Sequence, residues 1–318
     1  MPEWWIERGI GETRSALIDD GEIVEARVEL DGTVRAGTVL QARLVDVGTN
    51  GRNAVARDED GNEYLLPRGA PGTAEGAALA IEVTREMIPG AERWKRPLGR
   101  VSGEAPRPAE PLGGRMLPFP PADDVLGTLG WANLTDEARS GLVDFAGGQI
   151  RISATPAMTL IDVDGYLPPD DLAVRGAGEA ARAIRRLDIG GSIGIDLPTA
   201  GSKAARQAAA AAIDQHLPLP FERTAVNGFG FVQIVRPRPR ASLVELAQDR
   251  APFEARALLR RAAVEPPGPK RLVGHPAVIA VLEHAGEWTE QLARQIGGAV
   301  HLRADSTIAM SAGYAEPV

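Results

Sequence analysis

Thr159-Leu160-Ile161-Asp162-Val163-Asp164-Gly165 and Gly190-Gly191-Ser192-Ile193-Gly194-Ile195-Asp196 decide how this chain is read. Each stretch is an apolar run of strand length that ends in acid, and a side-chain period of two puts Asp162 and Asp164 on one face of the first strand. Between them an alanine-rich segment from Gly176 to about Leu187 reads as a helix. Strand, helix and strand in that order make a right-handed crossover, so the two strands are expected to be parallel neighbours. Asp162, Asp164 and Asp196 then share the carboxyl edge of an α/β sheet, where ligands of such sheets bind. Carboxylates crowded there repel one another unless a cation is present. Oxygen ligands alone favour magnesium, or manganese, over zinc. The competing reading is that the acids cap helices or accept backbone N–H groups at the strand ends.

The alternation continues on both sides. Short helices over Asp123–Leu129 and Thr135–Asp144 and a strand over Gln149–Ser153 come before the first acidic strand, and a helix over Lys203–His216 and a strand over Gly230–Val235 follow the second. Residues 123–250 are therefore expected to form the α/β catalytic region. Past its last strand, Arg236-Pro237-Arg238-Pro239-Arg240 sets an arginine at every second position, and the prolines hold the backbone extended. Guanidinium groups spaced in this way match successive phosphates of a nucleic-acid strand. The alternative is that they pair with acids of neighbouring helices.

Upstream, residues 1–33 read as hairpins that pack on the catalytic region, with a turn at Asp19-Asp20-Gly21. Residues 34–100 carry short β-type runs cornered by glycine, which suits a small barrel of the OB type. Such barrels bind single-stranded nucleic acid through aromatic and basic residues on one face, and Tyr64, Arg52, Arg57, Arg93, Trp94 and Lys95 are the candidates. Tyr64 and Trp94 serve equally as packing residues. Residues 101–122 are crowded with proline and glycine and are expected to be a linker. Residues 251–318 are expected to form a small C-terminal α/β subdomain, with helices near Phe253–Ala262 and Ala277–Ile296 and a strand near Ala299–Arg303. The fold class is thus multi-domain, mixed α+β and α/β.

Composition narrows the chemistry. With 318 residues of which 44% are hydrophobic, the chain can bury substantial cores. Cysteine is absent and the 4 histidines are scattered, so disulfides, cysteine nucleophiles and zinc sites are not expected. A net charge of −8 argues against a protein that coats polyanions, so any nucleic-acid contact must be local. No apolar run is long enough to span a bilayer, and Met1-Pro2-Glu3-Trp4-Trp5 does not resemble a signal peptide, so a cytoplasmic protein without membrane partners is expected.

Ile161-Asp162-Val163-Asp164, the Gly190–Asp196 strand and the Arg236–Leu243 segment together resemble the RNase E/G family of endoribonucleases. In that family an Ile-Asp-Val-Asn strand, a Gly-Gly-x-Ile-x-Ile-Asp strand and an Arg-x-Arg-x-Arg-x-Ser-Leu segment occur in the same order. The stretch from Glu179 to Gly191 is similar to the family's helix before its second acid, Glu12–Gly21 to its first hairpin, and Val300–Asp305 to its closing strand. The resemblance implies an RNase H-like fold with an inserted OB domain, followed by a DNase I-like domain that carries the metal acids. It implies metal binding at Asp162 and Asp196, with Asp164 standing where the family has an orienting Asn. It also implies RNA contacts from Arg236, Arg238, Arg240 and Ser242, and attack of magnesium-activated water on single-stranded RNA that leaves a 5′-phosphate. Without cysteine the family's zinc link cannot form, so any oligomer must assemble otherwise. The segment 101–122 is also too short for the family's sensor of 5′-monophosphate ends. Two rivals share parts of this pattern: a haloacid-dehalogenase-type phosphatase using Asp162-Val163-Asp164-Gly165, and a non-catalytic RNA-binding protein of the same fold.

Overall fold

The computed structural model describes residues 1–90 and 94–318. Alternating burial along the opening residues makes an antiparallel succession of β1 (Glu3–Arg8), β2 (Glu12–Asp19) and β3 (Glu22–Leu30). The chain then closes a barrel from β4 (Val39–Asp46), β5 (Ala54–Arg57), β6 (Glu63–Leu66), β7 (Ala78–Arg85) and β8 (Leu98–Val101), in the order β4-β5-β6-β8-β7. Leu44, Tyr64, Leu66, Ile81 and Val83 fill its interior. Strand β8, which sequence periodicity did not reveal, completes the closure by pairing with both β6 and β7.

The stretch 101–122 is not a free linker. Val39 and Arg107 exchange two backbone hydrogen bonds of 2.9 Å at the base of the barrel. Further on, β9 (Arg115–Leu117) pairs in parallel with β1, Ile6 opposite Met116. A strand this short at a sheet edge tolerates proline and glycine around it, which is why composition hid it. The barrel is thus an insertion in a four-stranded sheet ordered β3-β2-β1-β9.

The central region holds α1 (Val125–Thr128), α2 (Trp131–Ser140), β10 (Leu142–Phe145), β11 (Gly148–Ala154), β12 (Thr159–Gly165), α3 (Pro169–Arg186), β13 (Gly191–Asp196), α4 (Lys203–His216), β14 (Glu222–Arg223), β15 (Phe231–Arg236) and α5 (Leu243–Gln248). Helix α2 ends earlier than Asp144 because Gly141 turns left-handed at φ 69°, and the chain continues as β10. The sheet order is β10-β11-β12-β13-β15-β14, and β12 with β13 is its parallel pair. Helix α3 buries small residues on two sides. Ala173, Ala177, Ala180 and Ala181 join a core shared with Ala16, Ala26 and Val28 of the first sheet and Ile161, Val163, Ile193 and Ile195 of the second. Helices therefore cover one face of the six-stranded sheet, while Arg151, Leu160, Asp162, Asp164 and Asp196 are exposed on the other.

The remaining elements are α6 (Arg250–Val264), β16 (Lys270–Gly274), α7 (Pro276–His284), α8 (Gly286–Ile296), β17 (Val300–Ala304) and β18 (Tyr314–Pro317), with a sheet ordered β17-β16-β18. The single helix expected over Ala277–Ile296 breaks at Ala285, whose φ of −96° and ψ of 58° leave the helical region. A buried ionic lattice joins α6 to the first sheet: Arg256 donates to Glu12, Arg260 to Glu7 and Asp124, and Arg14 pairs with Glu7 and Glu12. Among the described residues no helix is long and apolar enough to cross a membrane.

Candidate active site

Register places the predicted acids together. Asp162 lies opposite Asp196 on the neighbouring parallel strand, at the carboxyl ends of β12 and β13. On the other flank Arg151 of β11 faces Asp162, and beyond Asp196 the next strand presents Phe231. With neighbouring strands about 4.8 Å apart, Arg151, Asp162, Asp196 and Phe231 form one row across the open face. Asp164 projects from the same face one step along β12, opposite Gln149, whose amide donates to Asp144 at 2.7 Å.

Asp162 sits where its charged form is disfavoured. Partial burial pushes the Asp162 carboxyl above its ordinary value, the Asp164 and Asp196 carboxylates add to the shift, and Arg151 opposes it. Neither Asp162 nor Asp196 has an ion-pair partner among the described residues. Among those residues no group of three or more His, Cys, Asp or Glu side chains is placed to hold a metal ion, the trio Asp162, Asp164 and Asp196 included. Asp162 and Asp196 instead offer two oxygen ligands, which fits magnesium, a cation commonly held by one or two carboxylates while it keeps its waters.

Phe231 is seated by a glycine. A Cβ at Gly194 would lie 2.6 Å from Phe231 Cζ and 3.1 Å from Leu160 Cδ2, so the missing side chain is what admits the ring over β13. The turn before β15 is fixed by Asn227, whose Oδ1 accepts from the backbone of Phe229 at 2.9 Å and of Phe231 at 3.1 Å. Phe229 on that turn and Tyr166 just past β12 are 83% and 85% exposed, so neither packs a core.

Several residues expected to contact RNA are engaged elsewhere. Arg236 donates to the carbonyl of Ile189 at 3.1 Å, Arg238 pairs with Glu245, and Arg240 pairs with Asp188 at 3.1 Å. The expected row of arginines free for phosphate is replaced by inward contacts to the α3–β13 turn and α5. Gly190 permits this approach, since a Cβ there would meet the Pro237 carbonyl at 2.5 Å. Ser242 is 2% exposed and forms a capping box with Glu245 at the start of α5. Tyr64 is 1% exposed inside the barrel, and its hydroxyl donates to Asp58 at 2.9 Å; it is a packing residue, not a face for bases. Arg57 pairs with Glu63, while Arg52 and Trp94 are exposed. Lys95 donates to the Pro156 carbonyl at 3.4 Å, near the start of β12, and Arg93 lies outside the described residues.

A groove of about 590 Å³ between α3 and α4, lined by Arg175, Arg182 and His216 among others, lies on the helix-covered side and takes no part in this row. Arg151 and Phe231 were not anticipated as site residues. The signal for Arg151 was the alternation Gln149-Ile150-Arg151-Ile152-Ser153, which puts it on the face of the acids once β11 pairs with β12. No protein-family model matches the sequence, and no curated protein matches it.

Proposed function

We propose that the chain is a magnesium-dependent endoribonuclease that cleaves single-stranded RNA and leaves a 5′-phosphate, as its resemblance to the RNase E/G family implies. The observation that carries this reading is the in-register pair Asp162 and Asp196: like charges at the exposed carboxyl edge of parallel strands, with Arg151 alongside but, among the described residues, no ion-pair contact to either. A structural role would be met by ion pairs or caps, as it is for Glu7, Glu12 and Ser242 in this same chain. Asp162 and Asp196 would hold the metal, and Asp164 beside them would orient the ligands around it. Magnesium bound there would supply Lewis acidity and a water of lowered pKa at neutral pH. The open sheet face admits an extended strand, and Arg151 stands next to the acids for a phosphate oxygen. On this reading the sheet with its inserted barrel would be the RNase H-like and OB parts that the resemblance implies, and the six-stranded sheet the DNase I-like part.

The test is cleavage of a labelled, AU-rich single-stranded RNA in magnesium or in EDTA by the native chain, Asp162→Asn and Asp196→Asn. Metal-dependent cutting that both substitutions abolish is the expected result. Intact RNA held tightly by the native chain would instead make this a binding protein, and hydrolysis of small phosphate esters without RNA cleavage would revive the phosphatase reading.

A further inference from the structure

We infer that Arg151 and Phe231 are the residues that position the substrate on either side of the acid pair, and that they select a strand carrying both phosphates and unstacked bases; this rests on the nuclease reading of Asp162 and Asp196. The inference starts from a contrast among the arginines. Arg236, Arg238 and Arg240 each turn a terminal guanidinium nitrogen onto a group of the chain, although the buried Nε of each has no partner. Arg151 is exposed on the open face, directly opposite Asp162 and near enough for its charge to oppose the rise of that carboxyl's pKa, yet among the described residues its guanidinium makes no hydrogen bond or ion pair. Facing residues on antiparallel strands have Cβ atoms within about 5.5 Å, so a salt bridge to Asp162 is within easy reach of so long a side chain. The guanidinium is left with its donors available next to the group proposed to hold the metal. Its planar fork suits the oxygens of a phosphodiester.

Phe231 occupies the opposite end of the row. Its ring reaches over Gly194 towards Leu160, both on the open face, and is only partly buried. An aromatic surface held in place by the absence of a neighbouring side chain is a stacking platform, and every base has a face to stack on it. From Arg151 to Phe231 the row spans three strand spacings, roughly 14 Å. A phosphodiester lying over the acids therefore has a cation on one side for its own or a neighbouring phosphate, and a ring on the other for the adjacent base. A duplex cannot satisfy both, because its bases are stacked on one another. The recognised class is single-stranded and base-bearing, with little preference among bases.

The experiment measures equilibrium binding of a labelled single-stranded RNA, and of the same RNA with abasic sites, to the native full chain, Arg151→Gln, Arg151→Lys and Phe231→Leu. All are measured in magnesium at several salt concentrations, after equal thermal melts have verified folding. Arg151→Gln is expected to weaken binding and to flatten the dependence of log K on log salt by about 0.7, the share of one phosphate contact on a single strand. Arg151→Lys should restore the slope but only part of the affinity. Loss of one stacked base corresponds to at least about fivefold. Abasic RNA should accordingly bind the native chain at least fivefold more weakly than intact RNA, while Phe231→Leu should bind the two alike. Unchanged slope in Arg151→Gln, or an abasic penalty that persists in Phe231→Leu, would overturn the inference. If the binding differences appear and no RNA is cut, the positioning role stands and the nuclease reading alone falls.

Discussion

Gly176 sits in α3 where the helix meets β12, and replacing it with alanine probes how the acidic strand is held. A Cβ at that position would lie 2.3 Å from Val163 Cγ1 and 3.4 Å from Val163 Cβ and Cγ2. Ordinary carbon contacts are about 3.5–4.0 Å, so helix and strand would have to part by more than about 1 Å or Val163 would have to leave its rotamer. Neither can yield easily, because α3 is packed against the first sheet behind it and β12 is bonded to β11 and β13. Overpacking of this kind costs about 1–3 kcal/mol, against a gain of up to about 1 kcal/mol from alanine's better helix propensity. Gly176→Ala should therefore lose about 1–2 kcal/mol in urea denaturation with an unchanged m-value. The matching control is Val163→Ala/Gly176→Ala, which should be more stable than the sum of the single substitutions by at least about 1 kcal/mol. Because Val163 lies between Asp162 and Asp164, the single variant should also lose the proposed RNA cleavage. A Gly176→Ala protein as stable as the native chain, or more stable, would refute the packing argument.

Burial pushes the Glu12 carboxyl up, but Arg14 and Arg256 outweigh it and hold it below its usual value, so its stabilising effect is complete above that value and is lost as pH falls through the lowered one. Glu12→Gln should cost about 3–5 kcal/mol at pH 7, with a gap to the native chain that narrows in acid; a gap independent of pH in denaturation curves would contradict this. Arg240→Ala should destabilise by about 3 kcal/mol, because it leaves the Asp188 carboxylate, only 12% exposed, without its ion-pair partner, and should not alter the salt dependence of RNA binding. Unchanged stability with weakened RNA binding would return Arg240 to the phosphate-binding role. Tyr64→Phe removes the hydrogen bond to Asp58 and should cost about 1 kcal/mol in thermal or urea denaturation while RNA affinity stays the same.

What was legible in the sequence was whatever depends on local period. Asp162, Asp164 and Asp196 stand at strand ends on one exposed face because alternation and a crossover helix leave few other arrangements. Four of the barrel strands followed from the same signal. Elements whose stability comes from a distant partner were not legible: β8 and β9 are short and lie among prolines, and they exist only because β6, β7 and β1 receive them. The arginines show the same limit from the side of chemistry. Their spacing suggested a free ladder, but the partner of Arg240 lies on the turn after α3, beyond the reach of spacing rules. For Arg238 an unused signal was present: Ser242-Leu243-Val244-Glu245 is a capping-box pattern that announces a helix start and places Glu245 nearby.

The reciprocal bonds between Val39 and Arg107 bear on how the chain reaches this structure. The entropy lost in closing a loop grows with the logarithm of its length, so a clasp that shortens the excursion from Leu30 to Arg115 roughly fivefold eases the closure by about 1.4 kcal/mol. The parallel pairing of β1 with β9 gains from this only once the barrel has formed and drawn its two ends together. Folding of the insert is therefore expected to precede completion of its host, with β9 docking late: a lengthened tip on the barrel should leave the host's folding rate nearly untouched, whereas proline at Val39, which removes one bond of the clasp, should slow it.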